Sequence, residues 1–495
     1  MAIQHGDYLG GHFLSSGNPD AELTILSPAD TNDEVGRYAI ALEHVDEAVS
    51  AARSAQKNFR KLGEEKRRSL LLAYQQRLRA NAEELARTIA REIGKPLWDA
   101  RNEVNAMIGK VDLSLGEGAR FTKDEVLANL PGEIRYRPHG VLAVVGPFNF
   151  PGHLPNGQIV PALLLGNTVV FKPSDKAPGT VLWMARCFHE AGFGPGVINV
   201  VQGGAETAQA LVRHADIDGI LFTGSLAVGK KIVEANLDRP GRIVALELGG
   251  KNASLVFDDC NLERAAREIA YSAFATSGQR CTASSRVIVT KGVADALIDR
   301  LSDCARRAVV GYPLDEGVFM GPVISADAKS NLLAAQQVAR SAGFEALVEG
   351  GSVEVAGHPG FYVRPSLHKA PGANAHAVGY TDHELFGPDL AIHVVDNIDE
   401  AIHLANATRF GLTAAVFTSS RAAFESVADE LQVGVIHWNR SSAGASGRLP
   451  FGGIKDSGNH RPAGITAGAQ SVYPLAVYLS PPDDAPLPSW PGLSF

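Results

Sequence analysis

VLAVVGPFNFP at 141–151, GNTVVFKPSD at 166–175, DGILFTGS at 218–225 and IVALELGGKN at 243–252 decide the fold. Each opens as a short apolar run without polar alternation, the pattern of a strand buried on both faces. Helix-like stretches separate the runs, and strands alternating with helices build a parallel sheet covered on both sides. The fold class is therefore α/β, doubly wound, with ligands expected at the carboxyl ends of the strands. A second alternating region runs from about 253 to 440, with SRVIVT, AIHVVD, TAAVFTS and GVIHWN as its strands. The two lobes are expected to meet near residue 250.

Upstream of the first run, residues 44–120 read as helical. HVDEAVSAARSAQKNF and SLLLAYQQRLRANAEELARTIARE space their apolar residues three and four apart, and Gly94 and Pro96 punctuate the end of the second segment. LPGEIRYRPHG (130–140) and QSVYPLAVYLS (470–480) read as exposed strands appended to the two lobes. Such edges invite pairing with another copy, so a homodimer or homotetramer is expected. The tail PPDDAPLPSWPGLSF is Pro-rich and reads as extended.

Composition narrows the class. The chain has 495 residues, 45% of them hydrophobic, which is enough for substantial cores and argues against disorder. Its 46 Lys and Arg against 54 Asp and Glu give a net charge of −8, without the basic footprint of a nucleic-acid binder. The sequence shows no 18-residue apolar span, no secretory signal and no metal ligand set. Four cysteines in so long a chain make no disulfide scaffold and suggest a reducing, cytoplasmic setting.

Several motifs carry chemistry. In SGQRCTASSR, Cys281 follows Gly278, Gln279 and Arg280, and a positive neighbour or a helix starting after the thiol would favour the thiolate. The plainer alternative, a small buried thiol, suits Cys187, Cys260 and Cys304 better. Glu247 ends an apolar strand just before Gly249 and Gly250, where partial desolvation raises a carboxyl toward the range of a general base; it also reads as an ordinary strand-end charge. Asn149, between two phenylalanines and ahead of Pro151, is either an oxyanion donor or a turn residue. Lys172 and Asp175 sit where a nucleotide ribose would lie, and Gly224, Ser225 and Gly229 form a turn and helix start suited to phosphate. Each of these last segments also reads as loop chemistry.

Together the motifs resemble the aldehyde dehydrogenase superfamily. PFNFP (147–151), FKPSD (171–175), FTGS (222–225), LELGGK (246–251), GQRC (278–281), ELFGP (384–388) and PFGGIKDSG (450–458) occur in the family's order across nearly the whole chain. The resemblance implies a Rossmann-type NAD-binding domain (1–129 and 141–249), an α/β catalytic domain (250–437) and a small β oligomerisation element (130–140 and 465–495). It implies that Cys281 attacks the aldehyde and that Asn149, with the Cys281 N–H, holds the oxyanion. Glu247 would then activate the water that hydrolyses the thioester. Lys172, Ser174 and Asp175 would face the adenosine ribose, Ser225 the pyrophosphate and Glu384 the nicotinamide ribose. Gly224, Gly229, Leu248, Gly249 and Phe386 complete the implied cofactor set.

Two departures refine the expectation. Asp175 stands where the family usually has Glu; its charge still disfavours a 2′-phosphate, so NAD is expected over NADP. NHRPAG follows PFGGIKDSG in place of a Gly-Arg-Glu segment. With NFPGHLPNGQIVPALLLGN, HWNR then AGAS, SGNHRP and the closing PGLSF, this resembles a subfamily that oxidises N-succinyl-L-glutamate 5-semialdehyde in arginine breakdown. LELGGKN departs from that subfamily, which tends to have Met and Asn there. A dicarboxylate substrate would call for cations or convergent donors, and Arg440, His460 and Arg461 are the candidates; pairing with acids or capping carbonyls is the alternative. Another carboxylated aldehyde such as succinic semialdehyde, a CoA-acylating enzyme and a non-catalytic protein are the competing readings. The last two leave Glu247, or the whole reactive set, unexplained.

Overall fold

Val141 to Val144 are entirely shielded from solvent, and the strand Val141–Val145 is the middle one of five parallel strands in the first of two seven-stranded sheets. The computed structural model describes residues 6–14, 21–128, 131–444, 446–479 and 489–492. In the first sheet the order is Ile243–Glu247, Gly219–Thr223, Val141–Val145, Thr168–Lys172, Ile198–Val200, then Asp7–Leu9 and His12–Leu14. The five strands from Ile243–Glu247 to Ile198–Val200 are parallel. The two N-terminal strands extend the sheet antiparallel, an edge that the apolar-run reading missed because each is only three residues long. The chain runs outward from Val141–Val145 in one direction, then returns to add Gly219–Thr223 on its other side. That reversal opens a crevice at the carboxyl ends of these two strands.

The chain then passes from Glu247 to Asn252 into the second sheet. Its order is Glu345–Val348, Ser366–Lys369, Asp389–Val395, Ser284–Thr290, Asn252–Val256, Thr413–Phe417 and Val435–Trp438. All pairings are parallel except that of the Glu345–Val348 edge. Asn252 pairs with Ser284 at the amino ends of their strands. The carboxyl ends of the first sheet therefore confront the amino ends of the second.

Residues 44–120 form four helices, His44–Lys61, Glu64–Ala80, Ala82–Ile93 and Leu97–Leu115. The second periodic segment is thus two helices, broken at Asn81, whose side chain turns back to donate to Arg77 O at 2.8 Å. Gly94 ends the third helix with a left-handed φ of 79°. The strands appended at 130–140 and 470–480 pair with each other rather than with either lobe: Gly132–Pro138 runs antiparallel to Val472–Tyr478, with Glu125–Val126 beside it. Most of the Pro-rich tail lies outside the described residues. Among those described, no helix is long and apolar enough to cross a membrane.

Glycine is required where two loops that lead into the second sheet meet. Gly278 has φ 69°, and a Cβ there would lie 2.2 Å from Gly387 O. Gly278→Ala combines left-handed strain with a backbone clash and is expected to destabilise the protein by at least about 2 kcal/mol, seen as a lower denaturant midpoint. Gly241→Ala, whose Cβ would meet no described atom within 4 Å, is the control with an unchanged midpoint.

Candidate active site

The register of the first sheet sets Val145 level with Lys172 and Phe222, and Thr223 level with Glu247. Beyond this edge lies a cavity of about 1010 Å³. Its walls include Asn149, Lys172, Ser174, Asp175, Gly224, Ser225, Glu247, Leu248, Gly249, Cys281, Glu384 and Phe386. Loops from both sheets thus converge on one space, although these residues span more than two hundred positions. Gly229 stands just behind the wall, where a Cβ would press on Leu248 Cδ2 at 2.8 Å.

At the phosphate-suited corner, Ser225 caps the helix Leu226–Glu234, its hydroxyl accepting from Val228 N at 3.4 Å. The first turn of that helix points its unsatisfied N–H groups at the cavity rim. Lys172 is buried, and desolvation brings its ammonium down to about 8. Asp175 stays half-exposed beside Lys176 Nζ at 3.2 Å. Arg213 and Lys231, which the motif reading did not single out, also line the cavity.

At the reactive corner, Glu247 is 6% exposed. Burial holds its carboxyl well above the usual range, opposed only by a hydrogen bond from Ala463 N to Oε1 at 3.3 Å. Glu247 Oε2 has no partner among the described residues. Glu384 is raised to about 7 by burial, while Gly250 N donates to its Oε1 at 3.0 Å. Its carboxylate lies over Gly249, where a Cβ would come within 2.0 Å of Oε2. Asn149 is buried and donates through Nδ2 to Gln279 O at 2.9 Å, which spends one of its two amide hydrogens. Phe386, with φ 52°, packs edge-on against Phe148 at 5.7 Å.

Cys281 departs from the expectation in two respects. No helix follows it; a turn leads into the strand Ser284–Thr290, and Asn252 Nδ2 holds the Cys281 carbonyl at 2.7 Å. Nor does Arg280 charge the thiol: its guanidinium pairs with buried Asp99 at 2.9 Å. Burial, then the facing carboxylates of Glu384 and Glu247, push the thiol up to about 12. The side chain waits as a neutral thiol.

The three candidate substrate anchors stand outside this arrangement. Arg440, His460 and Arg461 are exposed, and none of them lines the cavity. Arg440 lies past the end of the strand Val435–Trp438. Asn459 is tied to Leu246 N and Val244 O, and that clasp turns His460, at φ 61°, and Arg461 outward; the charge of Arg461 acts on His139, beside the paired arm. Sequence reading also missed the backbone of Gly452 and Ala463, which closes over Glu247. The motif PFGGIKDSG (450–458) contains Gly452, but its residues carried no role in that reading. Among the described residues no group of three or more His, Cys, Asp or Glu is placed to hold a metal.

This fold and this constellation agree with the comparisons. The chain belongs to the aldehyde dehydrogenase family, whose sequence profile matches residues 14–473, and it is an enzyme of that class. It is 42% identical over 466 residues to the N-succinylglutamate 5-semialdehyde dehydrogenase of Novosphingobium aromaticivorans, covering 92% of this chain and 96% of that one. Among solved structures it is similar to the γ-glutamyl-γ-aminobutyraldehyde dehydrogenase of Burkholderia cenocepacia J2315 (33% identity, TM-score 0.91, 96% of this chain and 97% of that one). It is also similar to 1-pyrroline-5-carboxylate dehydrogenase from Thermus with bound NAD (32% identity, TM-score 0.88, 96% and 93%).

A thiol held near 12 is mostly protonated at neutral pH, so its thiolate fraction climbs tenfold per pH unit well past pH 8. Alkylation of Cys281 by iodoacetamide in the ligand-free protein is expected to rise about tenfold per unit between pH 7 and 9, followed by mass spectrometry of its peptide. A plateau below pH 9 would show a preformed thiolate instead.

Proposed function

We propose that this enzyme oxidises a carboxylated aldehyde with a nicotinamide dinucleotide, and that N-succinyl-L-glutamate 5-semialdehyde is its substrate. The observation that carries the reaction type is the convergence of Cys281, Asn149 and Glu247 on one cavity large enough for a dinucleotide. The 42% identity to a protein bearing that substrate's name supports the substrate. The cavity residues fit the cofactor: a capped helix start for its phosphates, Lys172 and Asp175 for a ribose, and Glu384 beside the thiol for the second ribose. Asp175 favours NAD over NADP. A nicotinamide bound there supplies the hydride acceptor.

The chain's own residues do the rest. Cys281 Sγ bonds to the aldehyde carbon and passes its proton to water in the cavity; the free hydrogen of Asn149 Nδ2 and the Cys281 N–H stabilise the oxygen that becomes negative. Loss of one such donor typically costs about 2.7–4 kcal/mol. The carbonyl re-forms as a thioester on Sγ when that carbon loses its hydrogen as hydride, which a bound nicotinamide would accept. Glu247, desolvated and with Oε2 unpartnered among the described residues, takes a proton from water as it attacks that carbonyl. The acid leaves and the thiol is restored.

The test is NADH formation at 340 nm with the succinylated semialdehyde, succinic semialdehyde, glutamate semialdehyde and a simple alkanal, each with NAD and NADP. The expected result is a preference for the succinylated aldehyde above ~100-fold in kcat/KM, equivalent to ~2.7 kcal/mol, and a higher kcat/KM with NAD. Glu247→Gln is expected to give one burst of NADH and then stall. A flat profile sinks the substrate assignment, and full steady turnover by the Glu247→Gln protein removes Glu247 from its role.

We further propose that the paired arm joins copies of the chain. Tyr473, Leu475 and Tyr478 are large side chains left exposed on a seven-residue strand. Light scattering is expected to give a dimer or tetramer, and a monomer with Leu475→Asp; a monomeric wild-type protein refutes the arm's role.

A further inference from the structure

The turn that delivers Cys281 is strained. Thr276 and Ser277 hold left-handed backbone, φ 55° and 57°, although neither is glycine. Such residues persist only where their surroundings over-determine them. Ser277 Oγ donates to Gly321 O at 2.7 Å, and the other anchor lies almost 180 positions away, on the helix Leu97–Leu115. Asp99 Oδ2 accepts from Thr276 Oγ1 at 2.5 Å and Oδ1 from Arg280 Nη2 at 2.9 Å, while Arg280 Nε donates to Thr276 Oγ1 at 2.8 Å.

One turn along the same helix, Glu103 accepts from Lys95 Nζ at 2.7 Å and from the backbone N–H groups of Gly152 and His153 at 2.9 and 3.1 Å. Lys95 and Arg280 both lie over the ring of Phe150, 3.6 and 5.2 Å from its centroid, and Phe150 adjoins Asn149. One helix face thus grips the loop carrying Asn149 and the loop carrying Cys281. All four charged side chains are buried, two of each sign.

We propose that Asp99 is a positioning residue: it draws the Arg280 guanidinium into the Phe150 clamp and pins the strained turn, fixing Cys281 and Asn149 relative to each other. The inference rests on the reading of Cys281 as the nucleophile. It explains why a cation adjacent in sequence leaves the thiol neutral. The enzyme gives up a reactive resting thiol and gains one fixed geometry.

Asp99→Asn keeps the shape and removes the charge. It is expected to lower kcat at least ~10-fold while the aldehyde KM and the dissociation constant of NADH stay within ~twofold, because small misplacements of reacting groups are costly. In the same variant Cys281 is expected to be alkylated by iodoacetamide at least ~fivefold faster, with the Cys304 peptide as reference, since Arg280 has lost its carboxylate partner. A general loosening of the fold would also speed alkylation of the buried Cys187, whose rate is expected to stay unchanged.

Because Asp99 acts through Asn149 and Cys281, the Asp99→Asn, Asn149→Ala double variant is expected to be no slower than Asn149→Ala alone. A kcat within twofold of wild type, an alkylation rate unchanged or slower, or effects that multiply in the double variant would each overturn the proposal. Should Asp99→Asn fail to fold, Thr276→Val removes only the bridging hydroxyl and is expected to lower kcat at least ~threefold with KM intact; an unchanged kcat there overturns it as well. A wild-type protein that forms no NADH with any aldehyde would defeat the functional reading alone, while the alkylation ratio still decides the role of Asp99.

Discussion

The four residues Leu248 to Lys251 carry the chain from the carboxyl end of one sheet to the amino end of the other, and that short crossing sets the spacing of everything around it. A Cβ on Gly250 would lie 2.9 Å from Cys281 O, and one on Gly249 would collide with the Glu384 carboxylate. Two adjacent residues without side chains therefore let a thiol-bearing loop and a carboxylate-bearing loop close on the same backbone. Lys251, immediately after, is buried and donates to Tyr380 O at 2.7 Å, which ties the crossing to the segment leading into Glu384. The cavity exists because this turn brings the sheets so near and no nearer.

The wall of that cavity carries Lys172, Arg213 and Lys231, but its reactive corner is dry and holds acids. Glu247 and Glu384 face the Cys281 thiol there, and both carboxylates make its ionisation harder. Burial alone would favour neutral groups, and the surrounding backbone N–H donors, from Ala463 and Gly250, offset it only in part. Two further cations are kept one layer behind that corner. Lys95 and Arg280 are committed to Glu103 and Asp99, pairs whose disruption typically costs about 3–5 kcal/mol when one partner is removed. The reactive corner is thus driven toward neutral groups inside a balanced shell of charge.

Much of this was legible in the sequence, because apolar runs of five with glycine after them have few other meanings. Four of the five strands of 141–247, the crossing near 250, the helix start at Ser225 and the desolvation of Glu247 follow from local pattern; Ile198–Val200, only three residues long, does not. The fate of Arg280 does not. A charged residue beside a cysteine says nothing about which way it points, and the aspartate that captures it lies on a helix whose own periodicity marks it only as packed. The outward turn of His460 and Arg461 was hidden for the same reason: the hydrogen bonds of Asn459 to Leu246 and Val244 decide it, from more than two hundred residues away.

Those same hydrogen bonds order events in time. Glu247 is held from above by Ala463, Gly458 bridges to Glu247 itself, and Leu248 donates to Ser457 O. A nascent chain leaving the ribosome from its amino end presents Cys281 long before these closing residues exist. The pocket that holds Cys281 and Glu247 is completed only when residues 452–463 have emerged. Assembly of this corner thereby trails the synthesis of Cys281, and a chain truncated before residue 457 lacks the segment that closes over Glu247.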